Sequence, residues 1–158
     1  MSVPERDLTA LGASAARAAI RAGAVTAEEL TRACLDRIAA REGVVGAWAF
    51  LDGELALRQA RELDARKRRG KTLGPLHGVP VGIKDIFDTA DLPTECGSRL
   101  FAGRRPLEDS AVVSLLRKAG AVILGKTVTT EMALSAPGKT VNPLDPTRTP
   151  GGSSSGSA

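Results

Sequence analysis

Two stretches of the sequence carry groups that could activate an amide or ester. In VPVGIKD, Lys84 closes a short apolar run, and in TRTPGGSSSGSA (Thr147 to Ala158) four serines, Ser153, Ser154, Ser155 and Ser157, stand among glycines. Drawn as a strand, the first stretch puts Val79, Val81 and Ile83 on one face and Pro80, Gly82 and Lys84 on the other. Gly82 then leaves room beside the lysine. Withdrawal from water penalises the ammonium form, so a lysine in such a row can serve as an uncharged base. It can equally end its strand and reach solvent beside Asp85. The serine-glycine stretch has the same ambiguity. It reads as a flexible linker, or as a loop folded around a site where hydroxyls and backbone N–H groups converge.

Other candidate groups are weaker. His77 is the only histidine, and a serine–histidine–carboxylate triad would need it as the base. It lies in the Pro/Gly turn PLHG with no identified serine partner and reads as a turn residue. GAVILGKT, Gly120 to Thr127, fits the phosphate-loop pattern letter for letter. That motif needs free backbone N–H groups in the loop. Here Ala121, Val122, Ile123 and Leu124 form a buried strand whose N–H groups belong to a ladder, and Lys126 reads as a solvated strand-end lysine. Cys34 falls on the stripe Leu30, Cys34, Ile38 and reads as a buried thiol. Cys96, in a loop, has no base beside it in sequence.

The elements that must position these groups follow from periodicity. Leu8, Leu11, Ala15 and Ala18 predict a helix stopped by Gly23. Thr26 opens a second as a capping box with Glu29. VVGAWAFLD predicts a strand, and residues 52–70 a third helix. From Pro75 the texture changes to short apolar pieces punctuated by Gly and Pro. A helix from Asp109 or Ser110 to Gly120 leads straight into the strand AVILGKT. Strand, helix and strand in succession predict an α/β architecture with a crossover helix. Beyond Leu134, four prolines with many Gly, Ser and Thr argue against regular structure, and a stretch of that length points to disorder or function.

Composition narrows the class. The chain has 158 residues, 42% hydrophobic, 25% charged and only 3% aromatic, with a net charge of +4. That length suits one domain. The basic run in RQARELDARKRRGK complements the C-terminus of a helix and keeps that face wet. No aromatic side chains interleave with it as stacking platforms, so no nucleic-acid partner is expected. The charged N-terminus lacks the apolar core of a secretion signal, and no apolar run approaches about 18 residues. A cytoplasmic location without membrane contact is expected.

Three blocks, GPLHGVPVGIKDIFDTADLPT, GAVILGKTVTTEMA and NPLDPTRTPGGSSSGSA, occur in order between about Leu73 and Ala158. Together they resemble the amidase signature family of serine amidohydrolases. The resemblance implies a mixed β-sheet core surrounded by helices, with residues 1–72 as a helical N-terminal region and 73–158 as the start of the α/β core. It also implies a Ser–cis-Ser–Lys triad that cleaves a carboxamide to a carboxylate and an amine or ammonia, without metal or organic cofactor. Lys84 matches the catalytic lysine and Ser153, after Gly151 and Gly152, the cis-serine. Ser154 would support the lysine, and Met132, Ala133, Leu134 and Ser135 would line an acyl pocket. The family's nucleophile lies downstream in a D-x-G-G-S-like segment, to which nothing in the 158 residues corresponds. Ser155 and Ser157 align with small residues after the cis-serine and do not replace it. The chain alone is therefore expected to be inactive. Its expected partner is a small amide, with homo-oligomerisation possible. Two alternatives stand beside a simple amidase. One is the A subunit of a tRNA-dependent amidotransferase, although Val128 stands where that protein carries an asparagine after Lys-Thr. The other is a non-enzymatic fragment or binding module.

Overall fold

The computed structural model describes residues 7–158. The first expected helix is divided. A short 3-10 turn at Leu8–Ala10 is capped by the Asp7 carboxylate, and α1 (Ala13–Ala22) starts after Gly12. Gly23 ends α1 in a left-handed conformation and its N–H returns to the carbonyls of Ala19 and Ile20. α2 (Ala27–Val45) opens with the expected capping box: Glu29 N–H donates to the Thr26 hydroxyl while the Glu29 carboxylate accepts from Thr26 N–H. A second carboxylate strengthens this end. Asp64 of α3 (Gly53–Arg68) is buried and accepts from the N–H groups of Ala27 at 2.9 Å and Glu28 at 3.1 Å. Donors at a helix start that no residue of the helix can satisfy are thus held by the neighbouring helix.

At its other end α3 finishes in Arg66, Lys67 and Arg68, and the Lys67 ammonium donates to the Ile20 carbonyl near the end of α1. This contact ties the C-termini of the two helices together.

A three-stranded sheet has the order β1-β3-β2. β1 (Trp48–Leu51) is antiparallel to β3 (Val122–Thr127), and β2 (Pro80–Lys84) is parallel to it, joined by a crossover through α4 (Ala111–Lys118). The sheet is therefore mixed and flanked by helices. β3 is buried along its whole length because it lies between two strands and beneath α3. Ala56, Ala60 and Leu63 of α3 pack on Val122 and Leu124 from one side, while Ile83, Leu92 and Val113 meet Ile123 on the other. Full burial of one such branched side chain contributes roughly 1.5–3 kcal/mol. Among the described residues no helix is long and apolar enough to cross a membrane.

Candidate active site

Parallel pairing sets which lysine faces what. Lys84 lies opposite Thr127 and Ile83 opposite Lys126, so the two lysines project from opposite faces of the sheet. Gly82 sits on the Lys84 face with no spare room. A Cβ there would lie 2.8 Å from the Thr127 methyl and 3.0 Å from the Trp48 ring, so the space expected beside the lysine is filled by these two residues.

On the Lys84 face the serine-glycine stretch folds back across the end of the sheet. Lys84 Nζ donates to Ser153 Oγ at 2.5 Å, across 69 residues of sequence. The Gly152–Ser153 peptide is cis. Several contacts strap the loop down. The Ser153 carbonyl accepts from Thr130 N–H at 3.0 Å and from the Thr129 hydroxyl at 3.1 Å. Gly156 N–H donates to the Val128 carbonyl at 2.9 Å, and the hydroxyls of Thr127 and Ser157 lie 2.8 Å apart. Inside the loop, the Ser155 hydroxyl donates to the Gly151 carbonyl at 2.9 Å. Gly156 is there because of this close approach: a Cβ would fall 2.0 Å from the Ala47 carbonyl oxygen and 2.5 Å from Val128 N. The loop is a strap on the sheet and not a free linker.

The remaining candidates are distributed unevenly. Ser154 is exposed, and its carbonyl accepts from Ser157 N–H; its hydroxyl makes no hydrogen bond to Lys84 among the described residues. Leu134 and Ser135 line a cavity of about 410 Å³ with Thr130, Pro137, Thr149, Gly151 and Gly152. Met132 and Ala133 do not line it; they form a 3-10 turn with positive φ at both residues. His77 is buried just before β2, away from the strand end that carries Lys84 and Ser153. Burial lowers its basicity, so it stands as a neutral packing residue. Cys34 and Cys96 are half-buried free thiols. Burial pushes both thiols above their ordinary range, and Asp85 adds to the effect at Cys96. Neither has the depressed pKa of a nucleophilic cysteine.

Lys126 corrects a sequence expectation. It is fully buried rather than solvated, and its three protons are donated to Asp85 Oδ1 at 2.9 Å, the Pro93 carbonyl at 3.0 Å and Thr94 Oγ1 at 2.6 Å. Desolvation lowers its pKa, opposed by the hydrogen bond and charge of Asp85. The phosphate-loop reading fails for the expected reason, since Val122–Thr127 is a strand. Sequence reasoning also misses Thr129 and Thr130, which fix the Ser153 carbonyl. Their signal is the hydroxyl-rich TVTT following a buried strand.

The family model described as Amidase matches residues 29–158. The chain belongs to the amidase family. The amidase chain is 48% identical to a glutamyl-tRNA(Gln) amidotransferase A subunit from Chloroflexus aurantiacus, over 96% of its own length and 32% of that relative. Among solved structures, the native peptide amidase of Stenotrophomonas maltophilia superposes with a TM-score of 0.84 at 37% identity, over 98% of this chain and 33% of that one. A fatty acid amide hydrolase superposes with a TM-score of 0.87 at 31% identity, over 99% and 29%. The chain thus spans about a third of the length of the curated relatives it matches.

These relatives overturn the expectation of no nucleic-acid partner, because their enzyme is named for a tRNA. The physical reason is specific. Lack of aromatics bears on base stacking, whereas folded RNA can also be held through its phosphates by Arg and Lys.

Proposed function

We propose that this amidase chain supplies the lysine–serine half of the glutaminase site in the A subunit of a tRNA-dependent amidotransferase in the cytoplasm. The observation that carries an amide-activating role is the Lys84–Ser153 contact at 2.5 Å. Identity to such A subunits over 96% of the chain supports the choice of enzyme. In this reading Lys84 accepts the Ser153 hydroxyl proton while Ser153 takes the proton of a nucleophilic serine contributed from outside these 158 residues. That serine attacks the glutamine side-chain amide. The proton then returns along the same path to the nitrogen as the C–N bond breaks and ammonia leaves. Thr129 and Thr130 hold the Ser153 carbonyl, so the hydroxyl stays between its two proton partners. Leu134 and Ser135 line the proposed substrate cavity together with Gly152, and Ser154, expected to support the lysine, instead closes the loop through its carbonyl, which accepts from Ser157 N–H. The expected helical region 1–72, described from residue 7, lays α3 against β3 but also contributes β1 to the sheet, so it is part of the core and not a separate preface.

The test is glutamine-dependent ammonia release by the full-length protein co-expressed with its partner subunits. Lys84→Met and Ser153→Ala should each lower kcat by about 10²-fold or more, the scale of a lost acid–base group. Full activity in either variant would remove that residue from the mechanism. A second reading, a simple amidase acting without other polypeptides, is favoured by Val128 and by the peptide amidase likeness. Turnover of small amides by the purified polypeptide alone, with no glutamine specificity, would establish it instead.

A further inference from the structure

Arg66, Lys67, Arg68, Arg69 and Lys71 place five cations within six residues at the end of α3. The Lys67 contact to the Ile20 carbonyl brings the end of α1 alongside, with Arg17 and Arg21 one turn apart on that helix. Arg17, Arg21, Arg66, Arg68, Arg69 and Lys71 are exposed. None of these six takes part in an ion pair among the described residues, although Arg32, Arg37, Arg61, Arg104, Arg117 and Arg148 all do. α1 has no acidic residue. On α3, Asp64 is buried and already occupied by Ala27 and Glu28 N–H groups, which leaves Glu62 as the nearest exposed carboxylate. Ile20, whose carbonyl Lys67 holds, packs against Gly78 just before β2, so the patch lies at the start of β2, the end opposite Lys84.

A charge cluster needed only to complement one helix terminus would be confined to that helix and its last turn. This one spans two helix ends and continues past α3 to Arg69 and Lys71. We infer that the joined C-termini of α1 and α3 form a phosphate-binding surface for the body of a folded RNA. The inference rests on the amidotransferase reading for its choice of RNA. Guanidinium groups can grip phosphates bidentately, and the distance from Lys84 assigns the surface to holding the RNA backbone and not to chemistry.

The experiment measures binding of the full-length protein, co-expressed with its partner subunits, to unmodified tRNA across a salt series. Its variant is Arg66→Gln/Arg68→Gln/Arg69→Gln/Lys71→Gln, which leaves the Lys67 tie intact. Loss of four phosphate contacts should reduce the slope of log affinity against log salt by roughly 3 to 4, with binding weakened at least tenfold at about 0.1 M salt. Arg17→Gln/Arg21→Gln should reduce the slope by about half as much. Replacing the three arginines by lysine should restore most of it, separating charge from fold. Parental affinity and slope in the quadruple variant would overturn the inference. So would binding to vesicles containing phosphatidylserine with none to tRNA. Glutamine-dependent ammonia release, measured in the same preparations without tRNA, should be unchanged in the variants. Its absence in the parent protein would sink the amidotransferase reading separately from the binding result.

Discussion

Lys84 and Lys126 stand on adjacent parallel strands and differ in almost everything except residue type. Lys126 is sealed: fully buried, with all three protons donated within the fold and a carboxylate against it. Lys84, on the opposite face, is half-buried and its amine donates to one side-chain hydroxyl. The difference comes from register, since a one-residue step along a strand moves a side chain to the other face. Beneath the sheet, Lys126 meets the segment that includes Pro93 and Thr94 and ties it to Asp85. Above it, Lys84 meets the strap at Ser153 and stays half-buried. Lys126, with every proton donated, holds structure, whereas Lys84, with one side-chain hydroxyl beside it, is the lysine to which the proposed function gives the proton transfer.

The largest effect should come from the sealed side. Lys126→Ala leaves the Asp85 carboxylate buried without its cation, and breaking such a pair costs about 3–5 kcal/mol. Lys84→Met should change urea stability by less than about 1 kcal/mol. Equal losses would erase the distinction. Next comes the strap. Gly156→Ala forces a methyl into the Ala47 carbonyl and should cost about 1–3 kcal/mol, seen as faster exchange of the amide at position 156 than in the parent and as proteolysis near Ser153. Unchanged protection would show that the loop does not depend on that approach. Smaller still is Thr129→Val, which removes one of two donors to the Ser153 carbonyl for about 1 kcal/mol. Thr129→Ser should restore it, and failure to do so would assign the loss to packing.

The smallest effect concerns the cover on the Lys126 side, where Arg104 grips Asp88 with hydrogen bonds of 2.7 and 2.8 Å. That grip lowers the Asp88 pKa below its ordinary 3.8, the Arg104 hydrogen bond being the largest cause. A lowered carboxylate pKa means that the folded state binds the proton less readily than the unfolded chain. The stability it contributes is present above that ordinary value and disappears as the pH falls through the folded one. Both side chains are about a third or more exposed, so solvent screens the effect. Arg104→Gln should lower stability slightly at neutral pH and converge with the parent in acid; a constant gap down to strongly acid pH would contradict the assignment.

Much of this arrangement is legible in the sequence where one local rule decides. Thr26 and Glu29 announce the start of α2, the apolar run from Ala121 to Leu124 announces β3, and Ser110 to Gly120 bracket α4. The α2 C-terminus is less legible, because Gly43 stands within the helix before Gly46 ends it. Lys126 misleads a local reading because its partners, Asp85, Pro93 and Thr94, lie more than 30 residues away. No local pattern registers burial at that range. The serine-glycine loop is the sharper case. Its composition fits slack or a strap equally, and only the long-range contacts with Val128, Thr129 and Thr130 separate them.

The central claim is that Lys84 is coupled to Ser153 while Lys126 is closed off. Competitive isotope-coded acylation of the lysines, mapped by mass spectrometry in the parent chain and in Ser153→Ala, tests it directly. The account predicts that the Lys84 labelling rate changes several-fold on loss of the Ser153 hydroxyl, while Lys126 stays unlabelled in both proteins until they unfold. Labelling of Lys126 at the rate of surface lysines, or a Lys84 rate indifferent to Ser153→Ala, would contradict it.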